Sequence, residues 1–295
     1  MYDFNSCYLA KSVDDAIRAL EANPAAVVIS GGTDVLIKVR EGKLAGCDLV
    51  SIHDVEALKG IQREENHSIV IGSASTFSQV VNDSIIQKHL PMLGEAADQV
   101  GGPQIRNMGT IGGNICNGVT SADCGAPLLA MNAVLETECK EGKRQLPIGE
   151  WYAGPGVTVR KHGEILTKIR IAEKDYRGYT GHYIKYGKRE AMEIATLGCA
   201  VWLKLSEDKR RLEDIRLAFA VAAPTPIRCR KIEEQLKGRE LSPNLYEMIG
   251  KGALEEVSPR SSWRASKEFR LHLVEELAKR AFGQAVLNGG GVDLA

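Results

Sequence analysis

No charge of either sign predominates in this sequence: 38 Lys and Arg stand against 38 Asp and Glu. The broad positive field that draws nucleic acid or an anionic membrane is therefore missing, and only local patches remain open. No apolar run approaches the ~20 residues needed to cross a bilayer. The opening Met1-Tyr2-Asp3-Phe4-Asn5 has neither the basic start nor the apolar stretch of a signal peptide. A cytoplasmic protein with no nucleic-acid or membrane partner is expected. The seven cysteines, Cys7, Cys47, Cys116, Cys124, Cys139, Cys199 and Cys229, form no CxxC pair, so a disulfide framework is not expected in a reducing compartment. Cys116 and Cys124, the closest two, lie eight residues apart, wider than the paired ligands of zinc or iron–sulfur sites. They are read as semi-buried thiols beside a loop, and no metal site is expected on this chain. The six histidines include no HExxH pair and are read as surface or structural residues. Also missing are the GxGxxG of a nicotinamide-binding Rossmann domain and the GxxxxGK[ST] of an NTPase, which disfavours both classes.

What is present is an ordinary globular mixture, 44% apolar, 26% charged and 5% aromatic, in a length of 295 residues that suggests two or three packed units. Ser12 is placed to cap a helix with Val13, Ile17 and Leu20 on its apolar face, and Pro24 ends it. Ala25–Ile29 reads as a buried strand and Asp48–Ile52 as another, giving a small α/β unit over 1–56. A second, α+β unit over 57–176 opens with a strand at Ser68–Ser73. Helices follow near Phe77–Val81 and Met92–Val100, then a glycine-rich stretch from Gly101 to Gly125 read as loop. A hairpin turning at Glu141-Gly142 and a strand over Gly163–Ile171 complete it. The third unit, 177–295, has strands at Cys199–Leu205 and Ile215–Val221, a helix near Lys231–Gln235, and a last helix over Glu268–Gln284. That helix carries Phe269, Leu273, Leu277 and Ala281 at helical spacing. Ser258-Pro259 is its expected cap, and Gly289-Gly290-Gly291 a flexible tail.

Two glycine-rich segments carry the chemistry. In Ile29-Ser30-Gly31-Gly32-Thr33-Asp34, adjacent glycines leaving a buried strand permit positive φ and close approach of a ligand, with amides and the Thr33 hydroxyl free to meet phosphate oxygens. A tight turn with Asp34 as a capping residue is the alternative from this segment alone. In Gly109-Thr110-Ile111-Gly112-Gly113-Asn114, followed by Thr120-Ser121-Ala122-Asp123, Thr110 and Asn114 offer hydrogen bonds and Asp123 an acceptor. Long loops inside compact domains are usually functional. Two backbone-rich loops from different units suggest a long ligand lying between them.

These paired segments resemble the FAD-binding subunits of the molybdenum hydroxylases, a group that includes the medium subunits of bacterial xanthine dehydrogenases and aerobic carbon monoxide dehydrogenases. Gly102-Pro103-Gln104-Ile105-Arg106-Asn107 fits the same family. Ala223-Pro224-Thr225-Pro226-Ile227-Arg228 and Pro259-Arg260-Ser261-Ser262-Trp263-Arg264-Ala265-Ser266 are similar to the xanthine dehydrogenase branch. The resemblance implies a vanillyl-alcohol-oxidase-type (PCMH-type) FAD-binding fold of two α+β subdomains, followed by a C-terminal α/β domain of the carbon monoxide dehydrogenase flavoprotein type. It implies FAD contacts from Val28, Ile29, Ser30, Gly31, Gly32, Thr33, Asp34 and Val35, whose amides would hold the pyrophosphate. Further contacts would come from Gly101, Thr110, Ile111, Gly112, Gly113 and Asn114, from Asp123 as an acceptor, and from Leu166 as an apolar neighbour. Lys185 would be a cation stabilising negative charge on the reduced ring. Val100 stands where some members have an aromatic residue, so ring stacking is left unspecified. The cysteine-bearing insertion of the 4-hydroxybenzoyl-CoA reductases is absent.

By the same resemblance, a large partner subunit would hold molybdopterin and oxidise a purine or similar heterocycle, and a small one would carry [2Fe–2S] clusters. NAD would accept the electrons, and the assembly would be a dimer of heterotrimers. The alternatives are the FAD subunit of a carbon monoxide or other heterocycle dehydrogenase, or a standalone flavin oxidase of the same fold. No His or Tyr constellation declares the base that such an oxidase needs. Arg260, Trp263, Arg264 and Arg270 are read as part of the cap of the last helix, with partner docking as the alternative. Lys188-Arg189-Glu190 is either a solvated turn or part of the acceptor side.

Overall fold

A computed structural model describes residues 2–292; Met1 of the N-terminal segment lies outside them. The first unit is a three-stranded parallel sheet, in the order Phe4–Leu9, Cys47–Ser51, Val27–Ile29. Ser12 caps the helix Val13–Ala22, its Oγ accepting from the Asp15 amide, and Ala16, Ile17 and Leu20 are buried on the sheet. The strand Phe4–Leu9 escaped the sequence reading because all six of its residues are exposed and no apolar alternation marks it.

The second unit is a five-stranded antiparallel sheet: Ile61–Arg63, Ile69–Gly72, Ile165–Ile171, Val134–Cys139, Gly142–Pro147. Cys139 pairs with Gly142, so the hairpin turns at Lys140-Glu141, one residue earlier than the sequence suggested. Short helices follow the second strand. The stretch from Gly101 to Gly125, expected as loop, contains the helices Pro103–Met108 and Ile111–Cys116. Pro103 opens the first, and Thr110 caps the second by accepting from the Gly113 amide. At six residues each, they are too short for a 3.6-residue period to appear in the sequence.

The third unit is a four-stranded antiparallel sheet, Tyr179–Tyr186, Leu197–Leu205, Leu212–Ala220, Ile227–Arg228. Its two central strands are buried on both faces. Ala200, Trp202, Ala218 and Ala220 join the core of the second unit. Their alternate neighbours Cys199, Val201, Leu217 and Phe219 join a separate core beneath the helices Arg230–Leu236, Pro243–Leu254 and Lys267–Asn288. The helix Pro243–Leu254 was not anticipated, although Ser242-Pro243 is an opening signal. The last helix buries Leu273, Leu277 and Ala281, but Phe269 is 40% exposed and meets Tyr186 edge-on instead. Its cap is Ser266, whose Oγ accepts from the Phe269 amide; Ser258-Pro259 lies outside it. Gly289 to Gly291 turn back on the helix, the Gly291 amide donating to the Val286 carbonyl at 2.9 Å. The expected flexible tail is thus pinned there. Among the described residues, no helix is long and apolar enough to cross a membrane.

Glu164, at the foot of strand Ile165–Ile171, ties this sheet together. Its fully buried carboxylate accepts from Arg144, Thr137 and the Lys161 amide. Burial alone would raise its pKa, but these donors outweigh it and hold the carboxyl below the ordinary range. A folded-state pKa below the unfolded value means stability present above about pH 4.3 and lost as pH falls through the folded pKa. Glu164→Gln is therefore expected to cost about 3 kcal/mol at pH 7. Urea midpoints of wild type and variant should converge on acidification below about pH 4. A gap unchanged down to pH 3 would contradict the assignment.

Candidate functional site

The strand Val27–Ile29 ends on buried Ile29 and releases the first glycine-rich loop towards the helix Val35–Arg40. Gly32 sits at φ +73, the left-handed region that favours glycine. Gly31 lies so close to the next unit that a Cβ on it would stand 1.7 Å from the Met108 carbonyl oxygen and 3.0 Å from the Gly109 Cα. This contact brings the first loop against the backbone leading into the second. The amides of Gly31, Gly32, Thr33, Asp34 and Val35 find no acceptor among the described residues. A run of partly enclosed N–H groups without acceptors is what an anionic group can satisfy. Asp34, the residue before the helix, makes no side-chain capping bond and is exposed.

The second segment is built the other way round. Ile111 and Gly112 donate inward, to Ser75 O at 3.0 Å and Ser73 O at 2.8 Å, while Gly113 and Asn114 donate to Thr110. Gly112 is pressed flat on the strand end, where a Cβ would meet Ser73 O at 2.5 Å. Ser73 in turn donates to Thr167 O, next to buried Leu166, so Leu166 lies in the layer beneath this helix. Its amides are satisfied, and what stays open around both segments is side chain. Ser30 Oγ, Ser73 Oγ and Asn114 Oδ1 are buried with no partner, a state that native structures rarely tolerate without a ligand or water.

A third element comes from the C-terminal sheet. Tyr183 and Lys185 are two apart on the strand Tyr179–Tyr186 and so share a face. Both reach Asp123, which is 6% exposed. Tyr183 OH donates to its Oδ1 at 2.9 Å and Lys185 Nζ to its Oδ2 at 2.9 Å. Lys185 Nζ also donates to Gln99 O at 2.8 Å, close to Gly101 at φ +51. Burial pushes the Asp123 carboxyl up, against the pull of Lys185 and the Tyr183 hydroxyl. Burial, then the Asp123 charge, push the Tyr183 phenol well up, so it remains a donor. Beside this group a cavity of about 330 Å³ is lined by Gln99, Lys185 and residues 186–193.

The structure places the sequence-derived residues in three groups, and beside them stand Ser73, Gln99 and Tyr183. Tyr183 was legible from strand periodicity two residues before Lys185. Ser73 and Gln99 act through backbone groups and an orphaned hydroxyl, which no residue pattern announces. Cys116 and Cys124 stand at this layer as thiols; burial pushes Cys116 to about 12 and Cys124 still higher.

Comparison with known proteins gives the family. Residues 2–173 match the FAD binding domain in molybdopterin dehydrogenase, and residues 182–285 match the CO dehydrogenase flavoprotein C-terminal domain. The chain is 44% identical over 291 residues, 99% of each chain, to the xanthine dehydrogenase FAD-binding subunit of Escherichia coli O157:H7. It is 29% identical to the carbon monoxide dehydrogenase medium chain of Hydrogenophaga pseudoflava, over 93% of this chain and 94% of that one. A solved carbon monoxide dehydrogenase from the same organism, lacking the Mo-pyranopterin moiety of its molybdenum cofactor, superposes with TM-score 0.92 at 26% identity. That match covers 98% of this chain and 99% of the other. The donor set fits FAD: open amides for phosphates, partnerless buried hydroxyl and amide groups, and a buried carboxylate.

Gly31→Ala forces a side chain into the Met108 carbonyl and should part the two loops, lowering FAD affinity at least tenfold, about 1.4 kcal/mol. Gly154→Ala, which meets nothing within 4 Å, serves as the control. Flavin per chain after equilibrium dialysis against FAD distinguishes them, and equal occupancy would contradict the role given to Gly31.

Proposed function

The chain belongs to the FAD-binding family of the molybdopterin dehydrogenases, and on that premise we propose that it is the electron-relaying subunit of a xanthine dehydrogenase-type complex. It holds FAD between a small partner subunit carrying [2Fe–2S] clusters and NAD as acceptor, while a large partner subunit with molybdopterin oxidises a purine. The observation that carries this reading is the row of open amides from Gly31 to Val35, set one backbone width from Met108 and Gly109. FAD supplies the exchange between one-electron and two-electron transfer.

The residues divide that work. The amides of Gly31 to Val35 take the pyrophosphate, with Val28 and Ile29 anchoring the loop and Ser30 adding a hydroxyl. Gly101 and the Thr110–Asn114 turn approach from the opposite side: Ile111, Gly112 and Gly113 form the close-packed backbone, and Asn114 presents its amide. Leu166 closes the apolar floor. Asp123 accepts a hydrogen bond from the cofactor, held in position by Tyr183 and Lys185. Lys185 places a positive charge where electrons accumulate. A cytoplasmic dimer of heterotrimers is the assembly this reading implies; the medium-chain names of the relatives support a complex of several subunits.

Anaerobic titration of the FAD-loaded chain with NADH, followed near ~450 nm, tests the relay. Bleaching without any partner is the expected result. FAD that NADH leaves oxidised would remove NAD as the acceptor, and a folded chain that takes up no FAD would remove the whole reading. In the same experiment Lys185→Met should shift the flavin midpoint negative by on the order of 30 mV, the equivalent of about 1.4 kcal/mol for a two-electron couple.

A further inference from the structure

A second cavity, of about 380 Å³, opens where the second unit meets the third. Arg63, Lys88 and Arg177 line it with a single carboxylate, Glu173, and with the imidazoles of His67 and His89. The cofactor cleft lies at the other end of the same strands. Tyr179 at the cavity and Lys185 at the cleft are six residues apart on the strand Tyr179–Tyr186, about 20 Å at the rise of a strand. Glu173 follows the strand Ile165–Ile171, whose start carries Leu166, and His67 precedes the strand Ile69–Gly72, which leads to Ser73.

The surplus of positive charge survives when the neighbouring acids are counted. The segment from Arg63 to His67 also carries Glu64, taken by Arg170 at 2.5 Å, and Glu65, which is exposed and does not line the cavity. The segment from Glu173 to Tyr179 also carries Asp175, buried against Arg216 at 2.9 Å, and exposed Lys174, which offsets Glu65. Asp214 of the third unit accepts from the Tyr179 hydroxyl and pairs with Arg216 and Lys237. The helix Ser84–His89, which bears Lys88, has its one acid, the capping Asp83, at the opposite end. Three permanent cations facing one carboxylate remain.

These donors are held in place but not used up. The buried Tyr176 hydroxyl donates to the His67 carbonyl at 2.5 Å and accepts from Arg63 Nε at 3.0 Å, so one sealed phenol fixes both the turn and the guanidinium. Arg63 and Arg177 reach Glu173 only at 3.4 and 3.5 Å, solvent-exposed contacts of little strength. Among the described residues, Lys88 Nζ has no acceptor and the ring nitrogens of His67 and His89 have no hydrogen-bond partner. His67 takes φ +64, uncommon for a residue with a side chain. Burial, then the charges of Arg63 and Lys88, push the His89 imidazole below its ordinary range, leaving it neutral near pH 7 and able to take up a proton.

We propose that this cavity binds a phosphate group, free or carried by a small molecule: Arg63, Arg177 and Lys88 take its oxygens and the His89 imidazole shares its proton. A phosphate group bears about −1.5 to −2 charges at neutral pH and loses its second proton near ~6, which matches two surplus positive charges beside a neutral histidine. Guanidinium forks suit its oxygens. Sulfate brings equal charge but no proton to share. A nucleic-acid backbone needs a track of cations, and here the surplus is confined to one cavity on a chain of zero net charge. None of the lining residues belongs to the cofactor cleft, so the site is independent of the relay reading.

The test is calorimetric titration of the full-length chain, saturated with FAD so that the open amides of Gly31 to Val35 are occupied. Inorganic phosphate, glycerol 3-phosphate and sulfate are compared at constant ionic strength near pH ~6.5. Phosphate is expected to bind with a Kd of about 1 mM or tighter, and sulfate roughly threefold or more weakly. Lys88→Glu should weaken phosphate about tenfold or more, whereas Lys174→Glu, the same charge change outside the cavity, should leave it within about twofold. His89→Phe keeps a ring against Tyr176 and should erase the preference for phosphate over sulfate. A tighter monoester assigns the site to a phosphorylated metabolite, and tighter inorganic phosphate to the free ion. No binding below about 20 mM, equal weakening by the two lysine variants, or equal affinity of the wild type for phosphate and sulfate would each overturn the proposal. A chain that takes up no FAD fails the relay reading alone; titrated without FAD, Lys88→Glu against Lys174→Glu still decides this site.

Discussion

At Gly31 the first unit's backbone rests directly on the backbone of Met108 and Gly109, with no room for even a methyl group between them. The parallel sheet of the first unit and the antiparallel sheet of the second share no ladder; Ala16, Ile17 and Leu20 of the first share a small core with Ala74 and Ile165 of the second, and the Gly31 contact adds main chain to that seam. Lys38 Nζ donating to Asn117 Oδ1 at 2.9 Å and His162 Nε2 lying 3.0 Å from the Leu20 carbonyl add to the seam. Direct contact between main chains has a chemical result that side-chain packing would not give. One loop is left with its amides unsatisfied, while the other, folded down on Ser73 and Ser75, has its amides satisfied. The two loops therefore differ in the backbone donors they leave open.

The second constraint is charge. Arg216 and Asp175, 2.9 Å apart and nearly sealed from water, sit where the second unit meets the third. Arg216 also lies over the Tyr179 ring and reaches the Ala130 carbonyl, while Asn132 donates to Asp175. Removing one member of such a group strands a buried charge, so each pair acts as a constraint on how the units dock. Asp123 with Lys185 follows the same logic at the cleft: the third unit supplies the cation and the second the carboxylate.

The layers were legible where residue patterns are long. The Ser12 cap, the buried strands around Ile69, Ile169 and Val201, and the last helix follow from periodicities of two and 3.6 that persist over enough residues to be seen. Phe4–Leu9 and Pro103–Met108 did not show because an all-exposed edge strand and a six-residue helix have no interior face to write into the sequence. At the site, Gly31, Asp123 and Lys185 stood out by residue type and family resemblance. The carbonyl of Gln99 did not, since almost any residue could supply it, and Ser73 did not, since a lone serine at a strand end belongs to no pattern. Phe269 misled because helical spacing alone cannot tell a core position from one that meets an aromatic neighbour at the surface.

The central strand Leu197–Leu205 belongs to two cores at once: Trp202 faces the cofactor-side unit, and Val201 and Leu203 face the C-terminal helices. Neither core can open without uncovering this strand, so melting of the far helices and collapse of the cleft become a single cooperative event. A ligand seated among the loops would therefore raise the melting temperature of helices it never touches, by mass action through a shared wall. The C-terminal unit is accordingly no detachable appendage; it is the back plate against which the cleft keeps its shape.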